Sequence, residues 1–475
     1  MTSRPQSNVD GPAGESTNNS SDPPHSSGQS GGVPPGPDGL PIVGNTHSII
    51  REPFAFLDEL HGYGDVVRYR ILGNTVTALF HPDYVQRVLV EEPETFERYL
   101  FADQGFDFAP EGILFTQGEQ WRTQRQLMQP AFTVDRIRSY TDTMARYAEQ
   151  TADSWETGDE IVLNRAFSRL TLRILTNALF DLDLEPGESD AVTRAAQLIN
   201  EQSNSRSVAG FLPEWVPTPG NRRYHRTLEA YRDRVDTLIE ERRADAAGTE
   251  EPGDDLLSVL VHHAESNGGA LTEREIQDNL ITFTFAGHET TSLVLTYAFY
   301  LLTQHDDVRR RLEAEQQAVL GGATPTFEDV TRLEVTDRVL QETMRLYPPA
   351  YIIFRKPTRD VTIGGYDVPE GTVLSLPQYR IHRDERFYDE PEAFRPDRWR
   401  EECVNDRPEY AYFPFGGGAR HCIGMRFAML ELKVVLTTLL QRFDLELVSD
   451  PDLALSPGAT LQPADDVHVR LTERT

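Results

Sequence analysis

Cysteine is nearly absent. Cys403 and Cys422 are the only two in 475 residues, which excludes a disulfide-stapled scaffold and a zinc or cluster site built from four cysteines. Lysine is as scarce, with Lys356 and Lys433 alone, so arginine supplies nearly all the positive charge. That charge is itself outweighed: 46 Lys+Arg face 76 Asp+Glu for a net charge of −30, which sets the chain against a nucleic-acid partner. No apolar run approaches the roughly 18 residues of a membrane helix, and no charged-then-apolar leader is present, so a soluble cytoplasmic protein without a transmembrane anchor is expected. The acidic groups are spread along the chain. Such a lysine-poor, acidic surface suits concentrated salt, where screening over roughly 3 Å at 1 M removes self-repulsion. A halophilic, haloarchaeal cytoplasm is therefore expected in preference to a merely acidic mesophile.

What is present falls into two parts. Residues 1–36 are rich in Ser, Gly, Pro and Asn with little to bury, and are expected to be a disordered tail. Residues 37–475 show no internal linker or repeat and are expected to form one domain. A proline-rich entry, "PPGPDGLPIVGN", precedes a strand pair, "DVVRYRIL" and "TVTALF", around Gly73-Asn74. From there to about residue 347 the apolar spacing is helical. Strand-like alternation returns in "YIIFRK", "DVTIGGYDV" and "TVLSLPQY", and residues 424–442 read as a long amphipathic helix. The fold class implied is mainly α with a minor β-sheet region.

The stretch "FGGGARHCIG", Phe415 to Gly424, sets one of the two cysteines in a glycine-rich loop directly before that helix. A helix N-terminus favours thiolate over thiol, so Cys422 is placed to be an anion. Gly416, Gly417, Gly418 and Gly424 remove side chains around it, leaving room for a broad, flat ligand. A phosphate cradle would want Gly-Lys-Ser/Thr after a strand. A Cys–His nucleophile would need His421 to face Cys422, which residues one apart at a helix start do not do. A structural turn with an inert cysteine stays open on these residues alone.

Taken residue by residue, Phe415-x-x-Gly418-x-Arg420-x-Cys422-x-Gly424 resembles the haem-binding loop of the cytochromes P450. The resemblance implies that Cys422 is the axial ligand to iron of heme b and that Arg420 pairs with a propionate. Four further motifs follow the family's order. "AGHETTS", Ala286 to Ser292, interrupts good helix propensity inside the candidate helix 272–303. It is similar to the family's oxygen groove, in which Glu289 and Thr290 would relay protons and Ala286 and Gly287 would leave space. "QETMRLYPP" carries Glu342 and Arg345 three apart, a spacing shared with Glu119/Arg122, Glu240/Arg243 and Glu392/Arg395. With Arg398 it is similar to a structural triad. "GEQWRTQRQ" supplies Trp121 and Arg125, and "YIIFRK" supplies Arg355, all implied to hold propionates. His288 and His421 are given no role.

The resemblance covers about residues 37–475. It implies a cytochrome P450 fold and an oxidoreductase, a haem-thiolate monooxygenase that inserts one atom of O2 into an apolar organic substrate. With no flavin or nicotinamide domain in view, electrons would come from a separate ferredoxin- or flavodoxin-type partner, docked on Arg122, Arg420, Arg426 and Lys433. Segments 92–118 and 200–225, with Phe101, Phe106, Phe108, Phe115, Phe211 and Trp215, would line the substrate pocket. Fatty acids, carotenoids, terpenoids and sterol-like molecules all stay open. A haem sensor without turnover and a cysteine hydrolase are the competing classes; the first gives no reason for Glu289 and Thr290.

Overall fold

A computed structural model describes residues 31–474 except 101–107, 185–191, 196–197, 199–217, 247–252, 254, 266–270 and 405. Of the expected tail, residues 1–30 lie outside the described part. The boundary at 37 needs correction, because Gly32 bridges to Tyr366 and the Pro35 carbonyl accepts from the Arg68 N–H. The domain starts several residues earlier.

The body is organised by one helix, Glu273–Gln304, begun by a capping box between Thr272 and Glu275. It is buried around most of its circumference, as a helix through the middle of a large core must be. The helix Leu163–Phe180 runs along it, and Met425–Arg442 packs between it and Thr141–Asp153. The poor propensity of "AGHETTS" does not break it. Thr290 and Thr291 hydroxyls donate back to the Ala286 and Gly287 carbonyls at 2.7 and 2.8 Å, and the α-helix continues through them. Two buried polar side chains of its first turns anchor the chain beside it: Asp278 accepts from the Glu111 N–H at 2.9 Å and Asn279 from that of Ile113 at 2.8 Å.

The minor sheet lies to one side. Its strands are ordered Val66–Ile71, Asn74–Leu79, Val373–Leu376, Ile353–Pro357 and Phe96–Arg98, all antiparallel except the pairing of Asn74–Leu79 with Val373–Leu376. The first hairpin turns on Leu72 and Gly73, at φ 45° and 84°, one residue earlier than Gly73-Asn74. "DVTIGGYDV" forms its own hairpin, Val361–Ile363 with Tyr366–Val368. At the sheet edge the register sets Arg98 directly opposite Arg355. Like charges across a strand pair are destabilising, so this edge is built for something that compensates them.

Candidate active site

Between the central helix, the helix Gly118–Met128, the sheet edge and the Phe415–Gly424 loop lies a cavity of about 360 Å³. Its lining brings together Trp121, Arg125, Ala286, Gly287, Thr290, Arg355, Phe415, Arg420, Cys422 and Gly424, residues drawn from across the chain. It also contains Arg98, which sequence reasoning missed. The signal available was the strand alternation of "FER", which sends Arg98 to the side of buried Phe96 and away from exposed Glu97.

Charge decides what the cavity can hold. Four arginines line it and no described lining residue is a carboxylate, in a chain of net charge −30. Burial, with repulsion from Arg355 and Arg420, pushes the Arg98 guanidinium well below its usual range. Burial brings Arg420 down to about 10, and burial with Arg420 beside it does the same to Arg355. Arg420 lies over the Trp121 ring at 4.3 Å and donates Nη2 to the Thr116 carbonyl at 3.1 Å, while its buried Nη1 has no partner. An orphaned guanidinium nitrogen among three further cations fits a ligand that brings two carboxylates, such as haem.

At the foot of the cavity Cys422 is exposed to the space. The expectation that the helix mouth alone makes it an anion is corrected. Burial pushes the thiol up, and the N–H groups of Gly424 and Met425 together with Arg125 only partly offset this. A cation on the cavity side would favour the thiolate, and a coordinated metal ion would supply one. Gly418 also needs correcting, since it does not line the cavity. It sits at φ 64°, and a Cβ there would lie 1.9 Å from the Leu89 carbonyl oxygen. Gly417 is likewise closed off by the Tyr410 ring. These two glycines let the loop seat on its neighbours, and only Gly416 and Gly424 face the ligand space.

The family model described as Cytochrome P450 matches residues 34–468.

The chain belongs to the cytochrome P450 family.

Among its relatives are a cyclooctat-9-en-7-ol 5-monooxygenase of Streptomyces melanosporofaciens, 32% identical over 90% of each chain, and a pentalenene oxygenase of Streptomyces avermitilis, 33% identical over 92% of this chain and 97% of the relative. A solved retinoic-acid-bound cyanobacterial cytochrome P450 superposes with a TM-score of 0.83, covering 94% of this chain and all of that one at 25% identity. The fold is thus the cytochrome P450 fold, the prosthetic group is haem iron held by a thiolate, and the activity is that of a monooxygenase acting on an apolar organic substrate.

Other expected residues fall differently. Thr290 faces the cavity, but Glu289 is turned to the strand Leu461–Pro463, where its carboxylate accepts from Gln462. His288, fully buried, sits 3.8 Å from it, and burial keeps that imidazole neutral, with its pKa near 4. Phe108 and Phe115 are not on the cavity wall; Phe108 packs edge-on against Phe115 and Phe285 in the core. Ile113 and Leu114 take the wall position instead. Phe101, Phe106, Phe211 and Trp215 lie outside the described residues. No helix among the described residues is long and apolar enough to cross a membrane.

Burial lifts the Glu289 carboxyl from an ordinary 4.5 to about 7, with Gln462 acting the other way. A raised acid is protonated in the folded chain while the unfolded one already ionises. Its stabilising effect is thus full below pH 4.5 and is lost as pH rises to about 7. Glu289→Gln keeps the bond from Gln462 and is expected to flatten this loss by about 3 kcal/mol. Denaturant midpoints of both proteins between pH 4.5 and 8 would measure it, and parallel curves would refute it.

Proposed function

We propose that this cytochrome P450 hydroxylates a polycyclic terpenoid, using electrons from a separate ferredoxin- or flavodoxin-type protein in the salt-rich cytoplasm of a halophile. The observation that carries the reading is the cavity's division. Arginines and Trp121 hold one wall and Cys422 the foot, while Leu114, Leu179, Phe283, Val294 and Ile353 leave Thr290 among apolar side chains. An apolar wall with few polar anchors orients a hydrocarbon by shape. Bound haem would supply O2 activation and oxygen transfer. Cys422 would hold the iron; Arg98, Arg125, Arg355, Arg420 and Trp121 would hold the propionates; Ala286 and Gly287 keep the central helix close without filling the space. The printed substrates of the two Streptomyces relatives support a polycyclic carbon skeleton. The net charge of −30 with two lysines supports the halophile.

Thr290 donates its proton to the Ala286 carbonyl, so its oxygen is left as an acceptor at the cavity surface. With Glu289 behind it, it is assigned to proton handling. The test is a screen of cyclic terpenes against the haem-loaded protein for high-spin spectral shifts, followed by turnover with a ferredoxin and its reductase. A product one oxygen heavier than its substrate is expected; absence of both shift and product across the screen overturns the substrate class. Thr290→Ala is expected to keep consuming reductant while product per electron falls at least about tenfold and peroxide appears.

The supposed docking patch is mostly spoken for. Lys433 is bonded to Asp337 at 2.6 Å, Arg122 to Glu119 and Glu94 at 2.5 and 3.1 Å, and Arg420 faces the cavity. Arg426 alone of the four is exposed and without a described partner. Arg426→Glu is expected to slow reduction by an acidic donor several-fold at low salt, and less as salt rises. Stopped-flow reduction rates that are equal in the variant and the parent would rule out a role for this face.

A further inference from the structure

On the central helix, His288 and Glu289 belong to a row of polar groups whose hydrogen bonds run in one direction. Gln462 Nε2 donates to Glu289 Oε1. At the other end His288 Nδ1 meets the Thr284 carbonyl, which can only accept, so Nδ1 carries the ring proton. His288 Nε2 is then a lone pair, fully buried and without a hydrogen-bond partner among the described residues, 3.8 Å from Glu289 Oε2. One proton completes the row. Placed on Oε2 it points at Nε2; without it, a carboxylate oxygen faces a nitrogen lone pair.

Three elements hold this row in place. Gln462 follows Leu461, whose N–H donates to the Pro349 carbonyl at 2.9 Å and whose carbonyl accepts from the Tyr297 hydroxyl at 2.7 Å. The same hairpin, Leu455–Pro457 with Leu461–Pro463, is held again where the Tyr351 hydroxyl donates to the Gly458 carbonyl at 3.1 Å. On the opposite side, the Thr171 hydroxyl of the helix Leu163–Phe180 donates to the His288 carbonyl at 3.0 Å. No cation answers the acid among the described residues. Buried Glu342 and Asp384 are met by arginines, whereas Glu289 is met by the Gln462 amide, with His288 and Tyr297 as its titratable neighbours. Burial raises the Glu289 carboxyl and lowers the His288 imidazole, so both are favoured in their neutral forms over an ion pair.

We infer that Gln462 and His288 are positioning residues for the reaction: the amide turns Glu289 so that Oε2 faces the imidazole, and the imidazole accepts from that oxygen, holding one proton next to Thr290. This rests on the assignment of Glu289 and Thr290 to proton handling. It gives a role to a histidine that the motif alone left without one. Delivery breaks the O–H bond at Oε2 and leaves a carboxylate still held by Gln462, and a proton from solvent restores the acid.

The two partners act on opposite forms of the acid. A donor to Oε1 favours the carboxylate, whereas an acceptor beside Oε2 favours the protonated form. The test is infrared titration of the haem-loaded full chain between about pH 5 and 9, following the carbonyl stretch of the neutral carboxyl. The Glu289 band is the one that Glu289→Gln removes, and the band of buried Glu431 remains as an internal control. Its midpoint is expected at about 7 in the parent chain. Gln462→Leu should raise the midpoint by about 0.5–1 pH unit and His288→Phe should lower it by a similar amount. His288→Gln, which keeps both a donor and an acceptor, should restore it, and His288→Leu replaces the phenylalanine variant if that one does not fold. Peroxide released per electron, measured with a ferredoxin and its reductase, should have a pH profile displaced in the same direction as each midpoint. A midpoint unmoved in either variant, displacement of both in one direction, a Glu289 carboxyl ionised across the range, or a peroxide profile that stays still while the midpoint moves overturns the proposal. Peroxide yield unchanged by Glu289→Gln would instead overturn the proton-handling assignment itself, and the infrared midpoints separate that outcome from a failure of the row.

Discussion

Glu342→Gln is expected to lower stability by about 3–5 kcal/mol and to remove most of the folded, haem-loaded yield. Glu342 is completely buried and receives five bonds. Arg345 donates through Nε and Nη2 at 2.9 Å each, Arg398 through Nε at 2.8 Å, the Arg395 backbone N–H at 2.9 Å and Trp399 Nε1 at 2.8 Å. Burial alone would raise its carboxyl, yet Arg345 and Arg398 outweigh it and hold the group low. Without the charge, two buried guanidinia face each other uncompensated. Arg345 also donates to the carbonyls of His382, Pro391 and Ala393, so the cluster clamps the helix Glu334–Leu346 to the segment leading into the cysteine loop. A control of identical spacing is available on the surface. Glu240 meets Arg243 at 2.6 Å with its side chain 68% exposed, and Glu240→Gln should change stability by no more than about 0.5 kcal/mol. Denaturant midpoints for the two variants test this directly, and comparable shifts would show that burial of the triad is not what holds the region.

That pair of glutamates also shows what a sequence can and cannot disclose. Spacing places Glu342/Arg345, Glu240/Arg243 and Glu119/Arg122 alike on one helical face, and all three do form ion pairs. Glu392/Arg395 do not, because Arg395 reaches Glu390 and Glu392 reaches Arg383. Which pair is buried depends on tertiary contacts that local periodicity does not encode. The cysteine loop was legible because its residues are contiguous. The direction of the Cys422 titration was not, since helix-dipole reasoning is local whereas desolvation comes from the whole surrounding fold. Glu289 and Thr290 are adjacent in sequence, but successive helical residues point about 100° apart, and the packing of Gln462 decides which one faces the cavity. Phe108, assigned to a pocket, went to the core for the same reason: its composition suits either. Arg98 was passed over because its meaning lies in a strand register with a residue more than 250 positions away.

Arg98 gives the sharpest test of the cradle, because its two expected effects have opposite signs. In the chain without porphyrin, half-buried Arg98 lies beside Arg355 and Arg420 with no acid among the described lining residues to answer them, and Arg98→Gln should relieve repulsion and raise the unfolding midpoint. With haem bound, the same change removes a charge-assisted bond of about 1.5–3 kcal/mol, so retention should weaken about tenfold to a hundredfold. Haem transfer to an excess of apomyoglobin measures the second effect, and thermal unfolding of the porphyrin-free chain measures the first. A residue serving only the sheet would lower both quantities together, and a residue lying outside the cradle would move neither. Arg355→Gln should follow the same pattern with a smaller gain without porphyrin, because its own N–H already donates to the Phe354 carbonyl at 2.8 Å and that bond is lost with it. The opposition in sign is what separates a site that stores repulsion for an anionic ligand from one whose arginines are merely packed.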